Sequence, residues 1–158
     1  MGKEIERKFL LLSDKYRMQG ESLQYIQGYL NLDHERIVRV RMEGEKGVIT
    51  IKGMSEGIAR AEYEYLIPAE EALEILEKLC HKPLIRKLRY KIPCGAHTWE
   101  VDEFQADNAG LVVAEIELKE EGEFFEKPDW VGEEVTYQKK YTNSNLVVNP
   151  YNTWPDHK

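Results

Sequence analysis

Arg36-Ile37-Val38-Arg39-Val40-Arg41-Met42-Glu43 alternates, with Arg39 and Arg41 on one face and Val38 and Val40 on the other. Successive side chains of an extended chain point to opposite faces, so a period of two over this length reads as a strand. Glu43-Gly44-Glu45-Lys46-Gly47 supplies a turn, and Val48–Lys52 resumes the alternation, giving a β-hairpin. The polar face is the unusual one: it sets two arginines roughly 6–7 Å apart, two residues along one strand. Like charges at that distance repel by about 0.6 kcal/mol in water, and by a few kcal/mol at an effective dielectric near 20.

The same device recurs to either side of the hairpin, as Glu4/Glu6, Glu62/Glu64, Lys87/Arg89, Glu100/Asp102 and Glu115/Glu117. Each pair lies in an alternating segment: Glu4–Leu12, Ala59–Ile67, Leu84–Ile92, His97–Gln105 and Leu111–Lys119. Gln24–Leu32 reads as a further strand, with Gly28 marking a bulge. Ser13–Gln19 reads as a short helix or turn opened by a Ser13 cap. Pro68–Cys80 is the clearest helix: Pro68 suits its first turn, Glu70 and Glu71 face the positive end of its dipole, and Ala72, Leu73, Leu76, Leu79 and Cys80 form an apolar stripe. From Phe124 onward the chain reads as irregular, with short helical turns. The expected fold is mainly β, a single domain over residues 1–158, with a helix inserted after five strands.

An amphipathic sheet with one solvated face produces such alternation without any function. The set as a whole argues otherwise. Eight acids and six bases (Lys8, Arg39, Arg41, Lys52, Lys87 and Arg89) share one face of successive strands, while Ile5, Phe9, Val38, Val40, Ile49, Ile51, Tyr63, Tyr65, Leu88, Tyr90, Ile116 and Leu118 make the other apolar enough to be covered. If the sheet closes, the charged face lines the interior, and closure removes exposed strand edges. Enclosed acids need cations, and carboxylate oxygens without clustered Cys or His select Mg²⁺, Mn²⁺ or Ca²⁺. Arg and Lys make charge-assisted bonds to phosphate. Carboxylates holding metal on one side and a basic comb on the other suit a polyphosphate chain, with metal-activated water attacking a terminal phosphorus. No P-loop GxxxxGK[ST] occurs, so a triphosphate would not be held in that way.

Composition narrows the classes. A net charge of −7 leaves no excess of base for general nucleic-acid binding. Cys80 and Cys94 form neither CxxC nor zinc spacing and read as buried free thiols in a reducing cytosol. The start MGKEIERK carries no apolar signal region and no stretch approaches membrane-spanning length, so a cytoplasmic protein without a membrane partner is expected. The four histidines are scattered, and no Ser or Cys has an activating context. Trp99, Trp130 and Trp154 read as packing residues, with Trp154 placed to close one end of the interior.

Glu4-Ile5-Glu6-Arg7-Lys8 resembles the N-terminal ExExK signature of the CYTH superfamily, the triphosphate tunnel metalloenzymes. The resemblance continues in order through Arg39-x-Arg41, Lys52, Glu62-x-Glu64, Lys87-x-Arg89, Glu100-x-Asp102 and Glu115-x-Glu117. It implies a closed eight-stranded antiparallel tunnel with helices outside, dependence on Mg²⁺ or Mn²⁺, and hydrolysis or cyclisation of triphosphates. Carried over, Glu4, Glu6, Glu115 and Glu117 are the principal metal ligands. Glu62, Glu64, Glu100 and Asp102 are further ligands, or groups that orient water and basic side chains. Lys8, Arg39, Arg41, Lys52, Lys87 and Arg89 grip phosphates, with Glu4, Glu6 and Lys8 as the catalytic group and Tyr29 and Lys140 as weaker candidates. The opening EIERKFL, Val135-Thr136 and Tyr141–Leu146 are most similar to bacterial inorganic triphosphatases. The expected reaction is conversion of tripolyphosphate to pyrophosphate and phosphate. An adenylyl cyclase, a thiamine triphosphatase, a polyphosphate- or nucleotide-binding module without turnover and a plain small-ligand barrel stay open, as does a homodimer.

Overall fold

The computed structural model describes residues 3–155. Strands β1 (Lys3–Leu11), β2 (Ser22–Asn31), β3 (Arg36–Glu43), β4 (Lys46–Gly53) and β5 (Ala59–Ile67) precede helix α1 (Ala69–Lys78). Strands β6 (Ile85–Cys94), β7 (His97–Phe104), β8 (Val112–Glu117) and β9 (Val131–Glu134) follow, then helix α2 (Asn143–Val148). The sheet order is β5-β4-β3-β2-β6-β7-β8-β1-β9, and pairing of β1 with β5 closes eight of these strands into an antiparallel barrel. The ninth, β9, lies in the tail read from sequence as irregular, where it pairs with Phe9 and Leu11 of β1.

β1 carries the closure by dividing its partners. Lys3–Ile5 pair with Ala59–Ala61 of β5, whereas Glu6–Leu10 pair with β8. The β3–β4 hairpin closes in register at Glu43 and Lys46, around Gly44 at φ +62°, a left-handed value that glycine adopts without cost. Gly28 does not mark a bulge; the register shift falls between Tyr29 and Asn31. A Cβ at Gly28 would instead lie 2.8 Å from Cys80 Cβ and Leu84 Cδ2, so glycine is needed there for close packing. Ser13 is likewise not the cap of the Lys15–Met18 turn, although its Oγ accepts the Lys15 N–H at 3.4 Å.

Apolar packing lies on the outside of the wall and at one end of the lumen. Ile5, Phe9, Trp99, Val101, Ile116 and Trp130 form one outer cluster. α1 lays Ala72 and Leu76 on Val40 and Met42 to form another. The covering predicted for the whole outer face is incomplete: Ile51, Tyr63 and Tyr65 on β4 and β5 stay 40–59% exposed, beyond the reach of α1. Cys80 is buried and Cys94 half-buried, both as free thiols. Among the described residues no helix is long and apolar enough to cross a membrane.

Candidate active site: a charged tunnel

On five of the eight barrel strands the period of two carries the inward face from charged to apolar. On β1 the series Glu4, Glu6, Lys8 ends at Leu10; on β3, Arg41 and Arg39 end at Ile37; on β6, Arg89 and Lys87 end at Ile85. β7 passes from Glu100 and Asp102 to Phe104, and β8 from Glu117 and Glu115 to Val113. The apolar ends pack against Val135, Tyr141, Leu146, Val147 and Trp154 of the tail, so the C-terminal segment plugs that end. What is left is a cavity of about 270 Å³ lined by seven carboxylates (Glu4, Glu6, Glu62, Glu64, Glu100, Glu115, Glu117) and seven bases (Lys8, Arg39, Arg41, Lys52, Arg60, Lys87, Arg89).

Acids and bases are interleaved rather than divided into an acidic side and a basic comb. Closure sets strands of opposite sign side by side, as Lys52 opposite Glu62 and Arg89 opposite Asp102. Lys52 Nζ lies 3.0 Å from Glu4 and 3.7 Å from Glu62. Arg39 donates to Thr50 at 3.1 Å and to Glu64 at 3.3 Å. Arg41 meets Glu43 at 2.6 Å and lies over the Tyr25 ring, 5.0 Å from its centroid. Lys8 Nζ is 3.3 Å from Glu115 and donates to the Tyr141 carbonyl at 3.1 Å. Burial works against the Lys8 ammonium, yet Glu115 and Glu6 raise its pKa, so it stays a cation.

Asp102 lines no part of the cavity; it stands just behind it at 1% exposure. Its oxygens accept from Arg89 Nε at 2.7 Å and Nη2 at 2.9 Å and meet Lys87 Nζ at 2.8 Å. Burial opposes its charge, but Arg89 and Lys87 hold the carboxyl far below the usual range. Both partners, Arg89 and Lys87, are bases that line the cavity. Lys87, pushed down to about 7 by burial, is further held by Asn143 Oδ1 at 3.0 Å.

Glu6 and Glu117 face each other across β1 and β8, and among the described residues neither pairs with a base. Burial and the nearby charges of Glu115 and Glu4 raise the Glu6 carboxyl well above its usual range. Burial and Glu4, Glu100 and Glu64 raise Glu117. Glu62 is pushed up to about 7 by burial and by Glu4. Among the described residues no three such side chains already converge as a metal cluster. The donor set nevertheless fits a hard divalent cation: all-oxygen ligands, negatively charged, mutually repelling and short of counter-charge.

Of the weaker candidates, Tyr29 lines the cavity and accepts from Gln27 Nε2 at 3.1 Å, whereas Lys140 lies outside it over the Tyr141 and Trp154 rings. Trp99 and Trp130 are core, and His97 binds Glu123 at 2.5 Å, away from the cavity lining. Sequence reasoning missed Arg60, Ser55, Gly57 and Ile58 beside β5, and gave no site role to Thr136, Thr142, Asn143 and Ser144, which line the cavity from the two tail segments quoted above for their resemblance. Arg60 stands two residues before Glu62, on the same strand face, and that spacing could have found it.

Comparison with known proteins agrees with this arrangement. The chain is 54% identical over 156 residues to an inorganic triphosphatase of Acetivibrio thermocellus, covering 99% of this chain and all of that one. An inorganic triphosphatase of Nitrosomonas europaea is 34% identical over 152 residues, 92% of this chain and 97% of that one. The solved structure of an inorganic triphosphatase superposes with a TM-score of 0.65 at 30% identity, covering 91% of this chain and 97% of the other. The barrel, its inward charges and the match of residues 2–147 to the CYTH domain together place this chain in the CYTH family.

Proposed function

We propose that residues 1–158 form one catalytic domain that hydrolyses inorganic tripolyphosphate to pyrophosphate and phosphate with Mg²⁺ or Mn²⁺. The observation that carries this reading is the lining itself: seven acids and seven bases, with Tyr29, Ile37 and Ile58 as its only large apolar side chains among the described residues. Such a wall matches a chain that is charged along its whole length better than one ending in adenosine or thiamine. The two similar bacterial proteins named inorganic triphosphatases support the same choice.

In this reading Glu6 and Glu117, with Glu4, Glu62, Glu64, Glu100 and Glu115 around them, hold the cation. A divalent ion there supplies positive charge to phosphoryl oxygens and makes water more acidic. The protein's own bases do the rest. Arg39, Arg41, Lys52, Lys87 and Arg89 already sit in fixed ion pairs and present donors to phosphate without reorganising. Among the described residues the buried Arg39 Nε has no acceptor, so it is a donor suited to an anionic oxygen. Lys8, protonated, neutralises charge developing on the phosphate that is attacked and does not act as a base. Water adds to a terminal phosphorus, the bridging P–O bond breaks towards pyrophosphate, and the water proton passes to solvent or product.

Free Cys80 and Cys94 and the net charge of −7 support a cytoplasmic setting without nucleic acid as a partner. The test is product formation from tripolyphosphate, ATP and thiamine triphosphate with Mg²⁺. Fastest phosphate release from tripolyphosphate is expected. Faster release from thiamine triphosphate, or cyclic AMP from ATP, would overturn the substrate assignment.

A further inference from the structure

Arg60 lines the same cavity as the six bases named from sequence, yet it differs from all of them in its partners. Lys8, Arg39, Arg41, Lys52, Lys87 and Arg89 each meet a carboxylate. Among the described residues Arg60 meets none; its only partner is the Gly53 carbonyl, which accepts from Nε at 3.0 Å and from Nη2 at 2.8 Å. Its cross-strand neighbour Glu4 turns away to Lys52. The clamp fixes the plane of the guanidinium and leaves Nη1 without a partner among the described residues. The backbone beneath is also fixed: Glu56 and Ala59 exchange hydrogen bonds of 2.6 and 3.0 Å around Gly57, at φ +65°.

Pinning the hairpin at Gly53 is the plain alternative, but one carbonyl is satisfied by any neutral donor. Placing a half-buried cation there without a counter-ion costs free energy that a neutral donor would not. The cost is explained if the counter-ion arrives with the substrate. We propose that Arg60 is a seventh phosphate-binding base, taking a phosphoryl oxygen of a linear triphosphate through Nη1. This rests on the triphosphatase reading and adds a binding residue to it.

The test compares wild type, Arg60→Gln and Arg60→Lys in tripolyphosphate hydrolysis with Mg²⁺. Loss of one charge-assisted contact in Arg60→Gln should raise KM about 10-fold, with a smaller change in kcat. Lysine restores a point charge but cannot clamp Gly53 through two bonds, so Arg60→Lys should recover most of the KM. A KM unchanged in Arg60→Gln, or a rise that Arg60→Lys does not reduce, would overturn the assignment. Calorimetric titration of tripolyphosphate into the same three proteins in EDTA, with no divalent metal, reads the contact without turnover. An inactive wild type would then count against the triphosphatase reading, whereas equal Kd in wild type and Arg60→Gln would count against Arg60.

Discussion

Asp102→Ala should be among the most damaging single substitutions in the wall, although Asp102 does not line the cavity. The carboxylate is 1% exposed and holds two buried cations by three contacts of 2.7–2.9 Å. Removing one partner of a buried ion pair leaves the others unpaired in a low-dielectric site, at a cost of about 3–5 kcal/mol. At ~2–4 °C per kcal/mol for a chain of this size, the melting temperature should fall by roughly 6–20 °C. The sign in pH follows from the depressed carboxyl: its stabilisation is present above the unfolded carboxylate range and lost as pH falls, so the full deficit shows at pH 7. The control is Glu134→Ala, which breaks the exposed Arg7–Glu134 pair at 2.7 Å and should cost at most about 1 kcal/mol. Melting is followed by circular dichroism at pH 7 without metal or phosphate, then again with tripolyphosphate. The anion should recover more of the melting temperature in Asp102→Ala than it adds to wild type, because it replaces the missing counter-charge. An Asp102→Ala protein melting within about 2 °C of wild type would refute the reasoning.

Further outcomes are expected elsewhere. Lys52→Ala removes the cation shared by Glu4 and Glu62 and should raise KM for tripolyphosphate several-fold; an unchanged KM would remove Lys52 from the phosphate grip. Glu62, raised to about 7 by burial and Glu4, binds a proton more tightly folded than unfolded, so the metal-free protein should lose stability between about pH 4.5 and 7. Glu62→Gln should flatten that slope in melts across this window. Leu146→Ala, at a fully buried position of the plug, should cost about 2–5 kcal/mol by denaturant unfolding.

The wall was legible because barrel strands impose a period of two, and Arg36–Glu43 and Ala59–Ile67 coincide with the strands read from sequence. Arg60 is hidden from the like-charge pattern because Arg60-Ala61-Glu62 sets opposite signs along one face. Interleaving was not legible because the partner of each charge depends on which strands become neighbours on closure. β2 inserts between β3 and β6, and β1 between β8 and β5, an order no local pattern encodes. The plug was hidden for a related reason. Leu146, Val147 and Trp154 show no strand or long-helix period, and their burial comes from contacts with Ile37, Ile85 and Phe104 distant in sequence.

In the proposed reaction a divalent cation seated on the acids acts on a triphosphate held by the bases. Phosphate release from tripolyphosphate by wild type and Glu6→Gln, each with saturating Mg²⁺ and with EDTA, tests it most directly. Wild type should turn over in a way that EDTA abolishes, and most of that turnover should be lost in Glu6→Gln even at saturating Mg²⁺. Release that persists in EDTA, or a wild-type kcat in Glu6→Gln, would contradict it.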